Sequence, residues 1–188
     1  MATGSRDSTT ATIILWQRAG ACWSAAYGPW SGFVGYSGVS SNKVEGDGTT
    51  PSGLFAIGSP FYGVAPDPGV NGAYQQLVCG DWWDEDSGSP TYNTFQAVPC
   101  GTTPAFAKGA AGSDSEALWQ ETTAYQSFAV VEYNVDPAIP GKGSAIFIHD
   151  DVGGPTAGCI SLPASELDTL LRWLDPGEAP HIAIGVAT

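Results

Sequence analysis

The sequence predicts a mostly β fold in a single domain. Its 188 residues suit one domain and suffice to bury a substantial core. The 25 glycines and 14 prolines follow no period, as expected of many short strands joined by turns. Helical periodicity is largely confined to residues 163–174. We therefore assign residues 11–188 to the domain and the polar residues 1–10 to an N-terminal tail.

Short apolar segments predict the first strands. Residues 12–17 and 22–27 are expected to pair as a hairpin, and residues 32–36 can form a third strand. Cys22 is then expected to be a half-buried strand residue. After a segment dense in turn residues, the chain resumes a strand at 54–57.

Two later segments predict strands near the centre of the sheet. Residues 127–133 form one, and Ala145-Ile-Phe-Ile148 forms the next, which is apolar on both faces. Because strand side chains alternate, Ala145, Phe147 and His149 share one face, and His149 stands where the strand ends. Residues 101–121, which precede both of these predicted strands, are small and polar, which favours a surface loop.

One helix follows. Four leucines at helical spacing form an apolar stripe, and Asp-Pro-Gly ends the segment; the leucines are Leu167, Leu170, Leu171 and Leu174. Pro163 suits the first helical position. Cys159 is thus expected just ahead of a helix start, where the positive end of the helix dipole favours a thiolate.

His149 and Cys159 together predict catalysis. A thiol is a poor nucleophile until its proton is removed, and imidazole removes protons near neutral pH. The small residues before the cysteine leave the amides of Ala157, Gly158 and Cys159 uncovered, as an oxyanion hole requires. Taken singly, each residue is more often structural. His181, the second histidine, is expected at a sheet edge or on the surface.

These residues resemble the signature of the L,D-transpeptidase catalytic domain family (YkuD-like), whose members cross-link peptidoglycan stem peptides. In that signature a histidine is followed by a loop and then by Ser/Thr-His-Gly-Cys and an aliphatic residue. Thr156-Ala-Gly-Cys-Ile160 occupies the motif, with His149 upstream. Segments 45–57 and 80–93, with Tyr133-Asn134, resemble the secreted actinobacterial branch.

The resemblance implies a β-sandwich-like fold. The sequence also departs from the family pattern at two positions. Ala157 stands in place of the motif's second histidine, and Ser161 stands where many members carry arginine or asparagine. The loop between His149 and Cys159 is also shorter than in the best-known members. These differences leave the thiol–imidazole chemistry in place and bear on the substrate.

The expected function is acyl transfer. The Cys159 thiol attacks the amide before the terminal D-residue of a stem peptide, and the thioester passes to an amine, with His149 as the base. Substrate contacts are expected from Thr156, Asn134 and Tyr133, although Asn134 can equally cap a strand end. Hydrolysis of the same bond by an L,D-carboxypeptidase and a catalytically silent cell-wall-binding module remain alternatives. The resemblance also implies that carbapenems acylate the thiol.

Composition limits the partners. The formal charge of −13 repels nucleic acid and anionic membranes, so neither is an expected partner. The resemblance implies that the partner is peptidoglycan. The sequence contains no apolar run long enough for a membrane span. We expect no metal, because neither a Cys-x-x-Cys pair nor a histidine cluster occurs. We also expect no cofactor and a monomer.

Cys79 and Cys100 bear on the compartment. They bracket an aromatic, polar segment that is expected to be an excursion outside the core, and a disulfide between them would stabilise it. Two unrelated buried thiols are the alternative. A disulfide implies an oxidising, extracytoplasmic location. Residues 1–10 lack the apolar core of a signal peptide, so we expect a mature chain or another route of export.

Overall fold

The computed structural model describes residues 1–107 and 115–187. Within these ranges the protein is mostly β, as the sequence predicts. The strands are β1 (Ala2–Thr3), β2 (Thr10–Ala19), β3 (Cys22–Phe33), β4 (Val39–Ser40), β5 (Thr50–Pro51), β6 (Gly53–Ala56), β7 (Phe61–Gly63), β8 (Tyr74–Gln76), β9 (Asp81–Asp84), β10 (Thr94–Ala97), β11 (Glu116–Ala117), β12 (Phe128–Val130), β13 (Phe147–Asp150), β14 (Ile160–Leu162) and β15 (His181–Val186). The helix α1 spans Ala164–Trp173, and two 3₁₀ helices span Leu118–Gln120 and Pro176–Glu178.

Ten strands form the main sheet. Their order is β6-β15-β1-β2-β3-β14-β13-β12-β7-β8. A second sheet has the order β10-β9-β11, and β4 pairs with β5. The predicted hairpin is present and longer than expected, because β3 continues to Phe33 and absorbs part of the predicted third strand.

The N-terminal segment belongs to the sheet, which corrects the expectation of a tail at residues 1–10. Strand β1 pairs in parallel with β15 and antiparallel with β2. Thr3 is buried, and its hydroxyl donates to the Ser5 carbonyl. Backbone pairing needs no apolar side chains, so the polar sequence hid this strand.

Strand β13 lies inside the sheet, as predicted. It pairs in parallel with β14, placing Ile148 beside Ile160 and His149 beside Ser161. On its other side it pairs antiparallel with β12, placing Phe128 beside His149. His149 is therefore flanked by the strands that come immediately before and after β13 in the chain.

One face of the sheet, which we call the aliphatic face, packs against α1. Its buried residues include Ile146, Ile148 and Ile160, and the four leucines of the predicted helical stripe pack with them. The helix begins one residue later than predicted, with Pro163 as its N-cap. Burial of this stripe is what holds a helix of only ten residues in place.

The other face, which we call the aromatic face, carries rings. Phe128 and Phe147 pack with their ring centroids 4.7 Å apart, and Tyr125 packs edge-on against Phe147 at 5.6 Å. Trp83, from the second sheet, packs edge-on against Phe147 at 5.0 Å. Cys159 is partly buried against this cluster.

The segment between Cys79 and Cys100 contradicts one prediction and confirms another. The disulfide is present, with the two Cα atoms 5.2 Å apart. The segment is not an excursion outside the core, because Trp83, Tyr92 and Asn93 are buried. Its polar residues concealed this role, since they are satisfied by hydrogen bonds that a sequence pattern cannot show.

Two smaller expectations also need correction. Cys22 is exposed rather than half-buried, since it opens β3 at the tip of the hairpin. Residues 101–121 are not wholly surface loop: Leu118 is fully buried and residues 116–117 pair with β9. Residues 108–114 lie outside the described part of the chain.

Candidate active site

Cys159 lies at the junction between a loop and a strand. The chain leaves β13, passes through a glycine-containing loop, and reaches β14 directly after Cys159. The predicted position ahead of the helix is therefore wrong, because β14 separates Cys159 from the first turn of α1. The helix dipole acts only within its first turn and gives this thiol no help.

Hydrogen bonds hold the thiol against the main chain. Cys159 Sγ donates to the Ala145 carbonyl oxygen at 3.2 Å and accepts from the Phe147 amide at 3.3 Å. Ala145 has a positive φ of 51°, an unusual conformation for a residue with a side chain. That backbone turn, placed just before β13, presents the carbonyl oxygen to the sulfur.

The loop before Cys159 is held by hydroxyl groups. Thr156 Oγ1 donates to the Cys159 carbonyl at 2.7 Å, and the Gly158 amide donates to Thr156 Oγ1 at 3.1 Å. Thr50 Oγ1 contacts the same Cys159 carbonyl at 3.3 Å. The Thr156 hydroxyl thus holds the loop together in this structure, and the Gly158 amide is already hydrogen-bonded to that hydroxyl. Ala157 is exposed.

His149 lies on the aromatic face. Its Nδ1 is 2.8 Å from the carbonyl oxygen of Asp150, so a proton on Nδ1 leaves Nε2 as the basic nitrogen. Burial lowers the pKa of His149, while the Asp150 carbonyl and the charge of Asp151 partly oppose this effect. The imidazole is therefore neutral at pH 7, as a base must be.

Cys159 and His149 share a face without a hydrogen bond between them. In the parallel pairing, Cys159 stands beside Phe147 and Ser161 stands beside His149, so the two predicted groups are diagonal neighbours. The Tyr125 ring packs edge-on against the imidazole, with ring centroids 5.6 Å apart. The strand register thus supports the predicted proximity of Cys159 and His149. At rest, however, the thiol donates its hydrogen bond to the main-chain carbonyl of Ala145.

Burial and nearby carboxylates oppose ionisation of the Cys159 thiol. Burial raises the pKa of the Cys159 thiol well above its usual range, and the carboxylates of Glu116 and Glu85 raise it further. The Phe147 amide and the Lys43 ammonium act in the opposite direction and lower the thiol pKa. The resting group is therefore a thiol, and a base must take its proton during attack.

Lys43 is a site residue that the sequence analysis missed. Its side chain is buried and pairs with Asp47 at 3.1 Å. A Cβ atom on Gly158 would lie 3.3 Å from the ammonium nitrogen, so the charge sits beside the loop that carries the thiol. Lys43 lies in a turn-rich segment, where the sequence pattern gives no indication that a lysine is buried.

Glu116 and Tyr125 form a second group that the sequence analysis missed. The Tyr125 hydroxyl donates to Glu116 Oε2, and Tyr125 is buried against His149 and Phe147. Burial raises the pKa of Glu116 to about 7, although the Tyr125 hydroxyl lowers it and Glu121 raises it further. Glu116 comes from a stretch predicted as surface loop and Tyr125 lies just beyond that stretch, so only the tertiary structure brings them to the site.

Asn93 joins the second sheet to the strand that precedes the site. Its Oδ1 accepts from the Ala145 amide at 3.0 Å and from Trp83 Nε1 at 2.9 Å. Its Nδ2 donates to the carbonyl oxygens of Tyr133 and Asn134. All four hydrogen-bonding positions of this buried amide are used, so Asn93 fixes the backbone that holds the thiol.

Asn134 and Tyr133, predicted to contact substrate, both bind the neighbouring loop. Asn134 Nδ2 donates to the carbonyl oxygens of Ile139 and Gly143, and its Oδ1 accepts from the Ile139 amide. The Tyr133 hydroxyl donates to the Lys142 carbonyl at 2.6 Å. These contacts favour the alternative in which Asn134 holds a strand end.

Ser161 and His181 occupy contrasting positions. Ser161 is fully buried beside His149, and its hydroxyl has no hydrogen-bond partner within the described part of the chain. His181 is exposed in β15, with Nδ1 2.7 Å from the Ala179 carbonyl oxygen. His181 is on the surface, as expected, although β15 is an inner strand.

Within residues 1–107 and 115–187, no three His, Cys, Asp or Glu side chains gather as metal ligands would. No helix in these ranges is long and apolar enough to cross a membrane.

Comparison with known families identifies one domain. The family model of the L,D-transpeptidase catalytic domain (YkuD) matches residues 8–182, nearly the whole chain. Searches of curated proteins and of solved structures return no significant match.

Proposed function

The chain belongs to the L,D-transpeptidase catalytic domain family, whose activity is peptidoglycan cross-linking, and we propose that it transfers acyl groups between stem peptides through Cys159, with His149 as the base. The terminal D-amino acid of the donor peptide is the leaving group. An amine of a neighbouring stem peptide is the acceptor. Such a substrate, together with the disulfide, supports an extracytoplasmic location.

The observation that carries the proposal is the common placement of the thiol and imidazole. Cys159 precedes β14, His149 lies on the adjacent β13, and the strand register puts both side chains on the aromatic face. The imidazole is neutral and its Nδ1 is held by the Asp150 carbonyl, so Nε2 can accept a proton. The Cys159 thiol is protonated at rest, so it can donate that proton to Nε2.

The reaction proceeds in two steps. First, Nε2 of His149 takes the thiol proton while Sγ attacks the donor carbonyl, and the same proton then passes to the departing amine of the D-amino acid. Second, the acceptor amine attacks the thioester, His149 takes its proton, and Sγ leaves as a thiol. Because Sγ hydrogen bonds to the Ala145 carbonyl at rest, that bond must break in the first step.

The tetrahedral oxyanion needs amide donors. The amides of Ala157, Gly158 and Cys159 are the proposed hole, and the Gly158 amide must exchange its bond to Thr156 Oγ1 for one to the oxyanion. Alanine at position 157 leaves the loop without a side-chain donor there. In this proposal the main-chain amides therefore stabilise the oxyanion.

One observation favours a second candidate, the catalytically silent cell-wall-binding module. The thiol pKa is raised, and both hydrogen bonds of the sulfur are to the main chain rather than to His149. A silent module would bind stem peptides without forming a thioester. The hydrolytic alternative, by contrast, differs only in the acceptor.

Intact-mass spectrometry after incubation with a carbapenem tests the proposal. The wild-type protein and a Cys22→Ala variant should each gain one drug mass. The variant is the control for labelling at Cys22, which is the other free cysteine. Cys159→Ala should gain none while keeping its circular dichroism spectrum and melting temperature. An unlabelled wild type, or full labelling of Cys159→Ala, would contradict acylation at Cys159.

The reaction outcome needs a second measurement. Incubation of the protein with a tetrapeptide stem and mass analysis of the products distinguishes the three candidates. Cross-linked dimer indicates transpeptidation, tripeptide indicates hydrolysis, and unchanged peptide with measurable binding indicates the silent module.

A further inference from the structure

Lys43 is a buried cation with no part in the two-step reaction. Its side chain is 3% exposed, whereas that of its partner Asp47 is 20% exposed. By contrast, the ion pair of Arg172 and Asp168 has the same sequence spacing, and its side chains are 48% and 39% exposed. A buried charge costs free energy unless its surroundings stabilise it, so a cation at this depth needs a physical reason.

The side chain of Lys43 passes between the two segments that hold the thiol. A Cβ atom on Gly143 would lie 2.8 Å from Lys43 Cε and 3.1 Å from Cδ, so the lysine stem lies against the Gly143 backbone. Gly143 leads to Ala145, whose carbonyl oxygen accepts the hydrogen bond of Cys159 Sγ. At the far end, Nζ lies 3.3 Å from the position of a Cβ on Gly158, hence within about 5 Å of the Gly158 Cα when one carbon–carbon bond is added. The two glycines thus leave room for a side chain that crosses from one segment to the other.

Asp47 fixes the ammonium in this position. Its carboxylate accepts from the Val44 amide at 2.8 Å and from the amide and hydroxyl of Thr49 at 2.8 and 2.9 Å. It also accepts from Lys43 Nζ at 3.1 Å. Burial raises the pKa of Asp47, but these hydrogen bonds together lower it by more, so the carboxylate is ionised. The turn of residues 44–49 therefore holds the positive charge beside Gly158.

The location of this charge indicates its effect. The Gly158 amide belongs to the proposed oxyanion hole, so the ammonium lies behind one of the donors. On the outer side of the loop, Ala157 is exposed and has no side-chain donor. Burial, Glu116 and Glu85 raise the pKa of the Cys159 thiol, whereas the Lys43 ammonium lowers it. A cation near a developing anion stabilises it far more in a buried site than in water.

We propose that Lys43 is a positioning residue of the acyl-transfer site and that it acts through its charge. The ammonium stabilises the thiolate that forms when His149 takes the proton of Cys159, and then the oxyanion at the Gly158 amide. Because the side chain is buried, it acts through the loop rather than by contact with the substrate. This inference rests on the proposed acyl transfer.

Alkylation by iodoacetamide tests the effect on the thiolate, because this reaction forms no oxyanion. In a Cys22→Ala background, Lys43→Met keeps a long side chain and removes the charge. The alkylation rate of Cys159 at pH 8 should fall about threefold, since an about tenfold loss of thiolate is offset about threefold by the greater nucleophilicity of a more basic sulfur. A loop that merely loosened would expose the sulfur and speed alkylation. An unchanged or faster rate would therefore overturn the proposal.

Carbapenem acylation, followed by timed mass spectrometry, tests the effect on the oxyanion. Lys43→Met should slow acylation about thirtyfold, of which about tenfold comes from the oxyanion. Arg172→Met removes a cation from an exposed ion pair and should leave both rates at the wild-type value. Equal slowing of alkylation and acylation in Lys43→Met would contradict the action on the oxyanion.

Asp47→Asn separates charge from packing and decides the question even where Lys43→Met does not fold. Asparagine keeps an acceptor for the turn amides and removes the charge that opposes the ammonium. Both alkylation and acylation should become about twofold faster, because the ammonium is then less neutralised. A loosened loop would instead speed alkylation and slow acylation, since the oxyanion-hole amides would lose their alignment. Slower acylation in Asp47→Asn would overturn the proposal.

Failure of this inference and failure of the proposed function give different results. If the wild-type protein forms no carbapenem adduct, acyl transfer fails, yet the alkylation rates of Lys43→Met and Asp47→Asn still report whether the charge acts on the thiol. If the wild-type protein is acylated and neither substitution changes its rates, acyl transfer stands and the role of Lys43 is refuted.

Discussion

The aliphatic face and the aromatic face are two sides of one sheet, and strand β13 contributes to both. Ile148, together with Ile146 just before the strand, projects to the aliphatic face, where α1 packs. Phe147 and His149 project to the aromatic face, where Cys159 packs. Successive residues of one strand thus serve different purposes, since strand side chains alternate between faces.

The two faces differ in chemistry more than in burial. The aliphatic face has a continuous apolar interior, whereas the aromatic face buries His149 and Tyr125, with Glu116 beside them. Buried polar groups cost free energy unless they are hydrogen-bonded, so this face depends on specific partners. The difference predicts that one face governs stability and the other governs reactivity.

The largest effect is expected on the aromatic face. His149→Ala should lower the rate of carbapenem acylation by about 10²–10⁴-fold, because the thiol loses its base while its pKa stays high. Stopped-flow or timed mass spectrometry measures this rate. His181→Ala, which removes an exposed imidazole, is the control and should acylate normally. Equal losses in the two variants would contradict the assignment of the base.

The matching change on the aliphatic face is Ile148→Ala. It should lower the free energy of unfolding by about 3 kcal/mol, because it opens a cavity among closely packed side chains. Urea denaturation measures this change. The acylation rate of the remaining folded protein should stay within about threefold of wild type. A rate that fell as far as it does in His149→Ala would mean that the two faces are not separable.

Asn134→Ala probes a residue first predicted to contact substrate. Its amide holds the loop at Ile139 and Gly143, so the substitution should lower the free energy of unfolding by about 1–3 kcal/mol. The value of kcat/KM for a tetrapeptide stem should stay within about threefold of wild type. A tenfold fall in kcat/KM without loss of thermal stability would restore Asn134 to the donor site.

The smallest effect concerns Glu116. In a Cys22→Ala background, Glu116→Gln should speed alkylation of Cys159 by iodoacetamide about threefold at pH 8, because removing the carboxylate lowers the thiol pKa. Glu178→Gln is the control, since its side chain is exposed and distant in sequence. An unchanged alkylation rate in Glu116→Gln would show that this carboxylate does not act on the thiol.

Glu116 also predicts a pH dependence of stability. Its pKa is about 7 in the folded protein, above the value of 4.5 expected on unfolding, so the folded state holds more protons between these values. The contribution of Glu116 to stability therefore falls as pH rises from about 4.5 to about 7. The melting temperature of Glu116→Gln relative to wild type should rise across this interval. A constant difference would contradict the raised pKa.

Much of the architecture was predictable from local pattern. The leucine stripe of α1, the strand ending near His149 and the adjacent strand at 127–133 are set by side-chain periodicity. The Cys79–Cys100 disulfide was also predicted. The strand between Cys159 and the helix was missed, because Ile160–Leu162 is too short to show a period.

The sequence by itself determined which residues alternate between faces, and hence that His149 shares a side of its strand with Phe147. Only the tertiary structure decided what surrounds them. Glu116, Tyr125, Lys43 and Asn93 reach the site from distant segments, through hydrogen bonds and ring packing. A periodicity reports only the local burial of a chain, whereas such contacts depend on which strands pair and in which register.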